Sequence, residues 1–282
     1  MGFHNKQIKR FVEYRHLNHS ERNKNMLENG TILSNVKLTA DYRIYSMTIR
    51  CPRIAKLAKS GQFVMIRCGD ALTLRRPISI CDIAGDTLRI CYDVRGEGTD
   101  WLSERKVGEE LDILGPVGRG FDISDTSRRV LLVGGGIGIY PLYSVAKRYG
   151  ANATVVLGFR TAGLITMAED FTSAGAALYI ATDDGSAGEK GYAINIVNRL
   201  LENEKFDIVM TCGPKIMMKG VAEAALAKGI RTQVSMEERM GCGVGACLSC
   251  VCAAKDENGE PSKKRVCVDG PVFEAQEVDF NA

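Results

Sequence analysis

Beyond residue 30 the sequence contains no histidine; all three (His4, His16, His19) fall in the opening segment. This excludes from the body Ser-His-Asp and Cys-His catalysis, His-ligated zinc and a His-ligated Rieske cluster. No run of 18 apolar residues occurs, so no transmembrane helix and no membrane partner are expected. A strong charge of either sign is also missing. The net charge is +3, and residues 1–30 account for all of it, with six Lys or Arg against three Glu. A neutral body gives no support for nucleic-acid binding, which normally shows a clustered basic face. The opening segment lacks the apolar core of a secretory signal. Its glutamates argue against a transit peptide, and Lys6 breaks the myristoylation pattern after Gly2. It reads as a solvated extension, with Met26 an alternative start. Without a secretory signal the expected location is cytoplasmic, where disulfides are not expected.

What is present is an ordinary globular composition, 45% hydrophobic and 25% charged, with thirty glycines in 282 residues. That length predicts about two or three domains. From Thr31 the chain reads as short strands: Thr31–Leu38, Ile44–Arg50, Gln62–Cys68, Ile78–Ile83, Thr87–Val94 and Leu111–Leu114, punctuated by Gly, Pro or Asp. Close-set strands without long helices predict an antiparallel β-barrel. Near Arg128 the pattern changes. Strands at Arg129–Val133, Thr154–Phe159, Leu178–Thr182 and Asp207–Cys212 alternate with helical stretches to about Tyr149, at Tyr192–Glu202 and at Pro214–Lys228. That alternation predicts an α/β region with a parallel sheet. The expected organisation is an extension (1–30), a barrel (31–126), an α/β domain (127–235) and a small cysteine-rich domain (236–282). No internal repeat is visible.

Five of the ten cysteines crowd into the tail. Cys242, Cys247 and Cys250 follow a C-x4-C-x2-C spacing, and Cys267 comes sixteen residues later. This is the plant-type pattern for a [2Fe-2S] cluster. One loop wraps a compact cluster with three thiolates while a separate segment supplies the fourth. Gly241, Gly243 and Gly245 let the backbone approach and point N–H groups at sulfur. Structural zinc usually takes paired cysteines twice over, and here the second pair is missing. Cys252 is the spare, read as a small buried apolar side chain.

Two further signals concern nucleotides. Val130–Val133 runs into Gly134-Gly135-Gly136-Ile137-Gly138 and a helix, the context in which a helix N-terminus receives phosphate. The full G-x-G-x-x-G fingerprint is absent, so an empty βα turn is the bland alternative. Cys212-Gly213-Pro214 ends another strand of the same region, where ligands of open α/β sheets bind. In the barrel, Arg75-Arg76-Pro77-Ile78-Ser79 offers a guanidinium for a pyrophosphate and a hydroxyl for a ring nitrogen. Gly96-Glu97-Gly98-Thr99 opens a short helix as a second phosphate perch. Taken singly, the barrel signals are no stronger than a surface arginine and an ordinary turn.

In combination the order RRPIS, GEGT, GGGIG with Pro141, then CGP, resembles the ferredoxin–NADP reductase superfamily. The tail MEERMGCGVGACLSC with a late cysteine resembles the electron-transfer subunits of the NAD-dependent (class 1B) bacterial dihydroorotate dehydrogenases. The resemblance spans about residues 31 to 275. It implies that Arg76, Pro77, Ile78 and Ser79 hold FAD, with Arg76 on the pyrophosphate and Ser79 near the flavin ring. Cys91, Tyr92 and Asp93 line the same flavin, and Gly98 and Thr99 its phosphates. Gly134, Gly135, Gly136 and Gly138 carry the NAD phosphates. Cys212 lies near the nicotinamide where hydride moves, with Gly213 and Pro214 beside it. Cys242, Cys247, Cys250 and Cys267 ligate the cluster. The implied partner is an FMN-containing catalytic subunit, in a heterotetramer with two copies of each chain. Electrons from its FMN cross the cluster and FAD and leave on NAD+, in pyrimidine (UMP) biosynthesis. Hydride transfer itself needs no general acid or base, which agrees with a body lacking histidine.

Two departures stand. Tyr140 occupies a position where that family has a smaller residue, and the first 25 to 30 residues have no counterpart. Two alternatives stay open. One is a subunit of an NADH-dependent ferredoxin:NADP oxidoreductase or a sulfhydrogenase. The other, from a different class, is a non-catalytic zinc- and nucleotide-binding module. NAD and NADP are not separated, because Arg160, Asp183 and Asp184 admit either reading.

Overall fold

The computed structural model describes residues 27–256 and 258–282. The opening segment's histidines and the alternative start at Met26 lie outside the described residues. Six strands close a barrel: β1 (Leu27–Lys37), β2 (Ile44–Arg50), β3 (Phe63–Ile66), β4 (Arg76–Ala84), β5 (Thr87–Asp93) and β6 (Glu110–Val117). Their order around it is β1-β2-β5-β4-β3-β6, every pairing antiparallel. Closure leaves no unpaired strand edge. Period-two alternation sends Leu88, Ile90 and Tyr92 into the barrel interior with Ile32, Met47, Val64 and Ile113. Two short helices accompany the barrel, α1 (Pro52–Leu57) and α2 (Glu97–Ser103).

β1 begins at Leu27, inside the stretch read as extension. Leu27 to Gly30 pair with β6, opposite Leu114 to Leu111. The sequence Leu-Glu-Asn-Gly carries no alternation, so only the partner strand defines it.

The second body holds β7 (Val130–Gly135), α3 (Tyr140–Tyr149), β8 (Ala153–Phe159), α4 (Ala168–Ser173), β9 (Ala177–Thr182), β10 (Glu189–Lys190), α5 (Ala193–Asn203), β11 (Ile208–Cys212), α6 (Lys215–Ala227) and β12 (Arg231–Ser235). The sheet order is β10-β9-β8-β7-β11-β12-β15, where β15 (Val272–Glu274) is a late strand lying antiparallel on β12. The other pairings are parallel. Strands buried on both faces read as continuous apolar runs, as Val130–Val133 does. α5 and α6 cover one face through Ile196, Val197, Leu200, Val221 and Ala225. α3 covers the other through Leu142, Val145 and Ala146, in a core shared with Ile44, Cys81 and Cys91 of the barrel. α3 is thus wedged between the sheet and the barrel.

The tail contributes a hairpin, β13 (Val251–Lys255) and β14 (Pro261–Arg265), as well as β15. Its Cys250, Cys252, Val266, Cys267 and Phe273 pack with Phe63, Met65 and Leu114 of the barrel and with Met218 and Val234 of the sheet region. Cys252 is 5% exposed in that core, and burial pushes its thiol up, as a packing residue requires.

One polar network ties the three bodies. Arg231 on β12 bonds Asp122, in the segment leaving the barrel, at 2.6 Å and Glu274 on β15 at 2.5 Å. Gln233 joins the same two segments through Asp122 N at 3.0 Å and Glu274 at 2.8 Å. The Arg231 guanidinium, with Ser124, holds the Asp122 carboxyl down at about 2. A carboxyl depressed from an unfolded value of ~3.9 adds stability above that pH and loses it as pH falls toward the folded value. Arg231→Met is therefore expected to lower stability at neutral pH by about 1 kcal/mol, since the network is partly exposed. Its denaturation midpoint should also fall less steeply than that of the unsubstituted protein between roughly pH 4 and about pH 2. Urea titrations across that range check both effects.

Candidate functional site

β7 and β11 are adjacent parallel strands, with Gly134 opposite Cys212. From β7 the chain moves to β8 and β9 on one side, then returns to β11 on the other. The carboxyl ends of β7 and β11 therefore flank the topological switch point, where open α/β sheets form their binding crevice. Both nucleotide motifs of this region meet there. A Cβ on Gly138 would collide with the carbonyl of Cys212, so the two turns touch backbone to backbone. Gly134 and Gly135 are also packed, the latter against Met217 and Pro214. Gly136 alone among these turn glycines faces open space, with φ +55, a conformation side chains rarely adopt. Gly136 thus leaves room in front of the turn, while Gly138 serves the approach of the two turns. A 3-10 turn at Gly136–Ile139 precedes α3.

Cys212 is partly buried at this crevice, and its thiol is pushed up to about 12 by burial. It stays a neutral thiol rather than a nucleophile. Tyr140 does not obstruct the turn. It is 2% exposed, faces the core beside Cys81 and Cys91, and its hydroxyl shares a hydrogen bond with Thr166 at 3.1 Å.

On the barrel, Arg75 and Arg76 divide their work. Arg75 is bound to the Asp112 carboxylate at 2.7 Å and its carbonyl at 2.9 Å. Arg76 has no carboxylate partner among the described residues; it bonds the carbonyl of Leu74. Its side chain lies against Gly98, where a Cβ would collide with the guanidinium. A guanidinium and the first N–H groups of α2 therefore share one spot, suited to a pyrophosphate. The Thr99 hydroxyl accepts from Arg95 N at 2.9 Å and Gly96 N at 3.3 Å, so it holds the turn and leaves only its backbone N–H for a ligand. Ser79 and Pro77 sit half-buried on β4 opposite Phe63 and Met65.

The residues Cys91, Tyr92 and Asp93 cannot all present side chains to one ring. Cys91 faces the core under α3, whereas Tyr92 points into the barrel and donates to Asn35 at 3.0 Å. Adjacent residues of a strand project to opposite faces, so Cys91 and Asp93 share one side and Tyr92 takes the other. Asn35, not singled out from sequence, bonds the carbonyls of Leu102, Ser103 and Arg105 and so fixes α2.

The four tail cysteines lie as two neighbouring pairs. Cys242 sulfur accepts N–H groups from Val244, Ala246 and Cys247 at 3.3–3.4 Å, and Cys250 sulfur accepts Cys267 N–H at 3.4 Å. Backbone donors aimed at sulfur suit thiolates. Cys247 thus lies beside Cys242, and Cys267 beside Cys250. Among the described residues no three His, Cys, Asp or Glu side chains surround a single point. Hydrogen bonds from Ser249 and Cys242 bring the exposed Cys247 down to about 6, and burial takes Cys267 up to about 12. Arg265 bonds Gly245 carbonyl at 3.2 Å and Asp269 at 2.8 Å through its own N–H, tying the loop to the strand before Cys267. The loop rests on the barrel: a Cβ on Gly243 would lie 2.7 Å from Met65, and Met65 pairs with Pro77. Neither Met65 nor Arg265 carried a sequence signal, because each acts through a partner distant in the chain.

The profile of the iron–sulfur cluster binding domain of dihydroorotate dehydrogenase B matches residues 237–279. The electron transfer subunit of dihydroorotate dehydrogenase B (NAD(+)) from Caldanaerobacter subterraneus subsp. tengcongensis is 41% identical over 250 residues, covering 88% of this chain and 97% of its own. That of Bacillus pumilus is 41% identical over 258 residues, covering 88% and 96%. The chain belongs to this family. It is an oxidoreductase subunit. Among solved structures, a chain of the NADH-dependent reduced ferredoxin-NADP oxidoreductase, studied for flavin-based electron bifurcation, is 34% identical with a TM-score of 0.79, over 90% of this chain and 91% of that one. The ferredoxin reductase of carbazole 1,9a-dioxygenase shares the fold at 22% identity and a TM-score of 0.60, over 72% and 66%. No helix among the described residues is long and apolar enough to cross a membrane.

Because Gly138 packs on the Cys212 carbonyl, Gly138→Val is expected to force the two turns apart and cost about 1–3 kcal/mol of stability. Gly136→Ala should leave packing intact, since nothing lies within 4 Å of its Cβ position, and burden only the backbone conformation. Chemical denaturation of the two variants checks the ranking.

Proposed function

We propose that the chain relays electrons from the FMN of a dihydroorotate dehydrogenase catalytic subunit through [2Fe-2S] and FAD to NAD+, in pyrimidine synthesis. The observation that carries this reading is convergence on one face of the barrel. The cluster loop meets β3 through Gly243 and Met65, next to β4, and the glycine turn Gly136–Ile139 lies against β5. FAD, when bound, supplies the exchange between a hydride pair and single electrons. The chain's residues position and shield. Arg76 and the α2 N–H groups of Gly98 and Thr99 hold the pyrophosphate, and Pro77, Ile78 and Ser79 with Cys91 and Asp93 border the ring; Tyr92 supports from inside the barrel. Gly136 admits the nicotinamide nucleotide, with Gly134, Gly135, Gly138, Gly213 and Pro214 shaping the crevice. Cys212, kept neutral, offers a thiol beside the nicotinamide without competing for hydride. Cys242, Cys247, Cys250 and Cys267 hold the cluster. On this reading the FAD-binding barrel, the NAD-binding region and the cluster region are the three working domains, in a cytoplasmic heterotetramer.

The 34% identity to the bifurcating oxidoreductase chain supports a second reading, in which the partner differs while the cofactors agree. Purification with the FMN-containing catalytic subunit and an orotate-dependent NADH oxidation assay separate the two. Orotate-dependent turnover is expected; a cofactor-replete complex that is inert with orotate overturns the choice. A colourless protein containing zinc overturns both.

Two substitutions localise the cofactors. Cys267→Ser is expected to strip iron and sulfide while flavin absorbance remains. Arg76→Leu should weaken FAD retention by about tenfold or more, because a charge-assisted contact is lost, with iron content unchanged. Visible spectra and iron assays check both.

A further inference from the structure

A cavity of about 500 Å³ lies between the barrel and the C-terminal half of α3. It is separate from the crevice. Tyr140 stands at the crevice end of α3, and Ser144 to Arg148 follow roughly 6 to 12 Å along the axis at 1.5 Å per residue. Ile83, Phe121 and Ile123 give the cavity an apolar side. Its charges are unbalanced. Lys147 is matched by Asp82 at 2.7 and 2.8 Å, and Asp122 by Arg231 at 2.6 Å. Lys59 and Arg148 also line it, and neither has a carboxylate partner among the described residues. Ser144 lines it too, at 4% exposure, and its hydroxyl has no hydrogen-bond partner. A serine inside a helix either faces solvent or bonds the carbonyl one turn back. This one does neither, although an unpaired buried hydroxyl is unfavourable.

We propose that this cavity binds a small organic anion, a carboxylate or phosphate on an apolar or planar body. Lys59 and Arg148 take the charged end, and Phe121, Ile123 and Ile83 take the body. Water filling the cavity leaves two cations unmatched and the apolar wall wetted. Interfaces between packed bodies are favoured places for such sites, because two walls supply the concavity. An occupant touches β4 and α3 together, and so ties the barrel to the nucleotide-binding region without entering the crevice.

The test is calorimetry on the full-length holoprotein with NAD+ present to fill the crevice. The probes are phenyl phosphate, benzoate and inorganic phosphate. Saturable binding of phenyl phosphate or benzoate is expected, with inorganic phosphate weaker. Whichever of the two aromatic probes binds tighter identifies the head group. The double variant Lys59→Glu/Arg148→Glu changes two exposed side chains, so the fold survives. It should weaken binding by about tenfold or more, while NADH:dye reductase activity stays unchanged. Absence of saturable binding, or equal affinity in the unsubstituted protein and the double variant, overturns the site. Equal binding of inorganic and phenyl phosphate overturns the role of the apolar wall. None of these readouts depends on the partner enzyme, so they stand apart from the proposed relay.

Discussion

Close approach of backbone to neighbouring groups governs the molecule. The cluster loop settles on Met65, the glycine turn on the Cys212 carbonyl, and α2 on the Arg76 guanidinium. At each contact a side chain as small as alanine has no room. Glycine at these points lets the backbone approach its neighbour more closely than any side chain would permit. Elsewhere the chain has ordinary interior packing. Its barrel, interfacial, cluster-region and helix-covered cores are each filled by aliphatic and aromatic residues.

α3 has a double duty. Its Leu142, Val145 and Ala146 cover the sheet, while Lys147 grips Asp82 of β4 and Tyr140 fills the space beside Cys81 and Cys91. One helix therefore sets the angle between barrel and sheet. The Arg231 network closes the same joint from the other side, where Asp122 leaves the barrel and Glu274 returns from the tail. The crevice is positioned by both.

Much of this was legible in the residues. Short runs punctuated by Gly, Pro or Asp located the barrel strands, and strands with intervening helices announced the parallel sheet. The cysteine spacing located the loop that carries Cys242, Cys247 and Cys250. Other features were hidden because they depend on partners far away in the chain. Leu27–Gly30 becomes strand only by pairing with β6. β12 is mostly polar and β15 has only three residues, so nothing in Arg231–Ser235 or Val272–Glu274 foretold that the tail would extend the sheet. The glycine turn was recognisable, but sequence could not separate Gly136, which faces open space, from Gly138, which serves packing. Nor could it show that Cys91 and Tyr92, neighbours in a motif, look in opposite directions.

The tail's way of joining the body has a kinetic consequence. The segment bearing the four thiols leaves from β12 and comes back to the same sheet as β15, and Lys215 and Lys219 of α6 bond the carbonyl of Ala282 and the side chain of Asn281, both at 2.6 Å. Both ends of the cluster-bearing stretch are thus moored to one rigid scaffold. A carrier that shuttles on a tether must wait for diffusion to bring donor and acceptor within range. A carrier moored at both ends keeps a constant gap, so its throughput is set by separation and driving force, and viscosity of the medium has no hold over it.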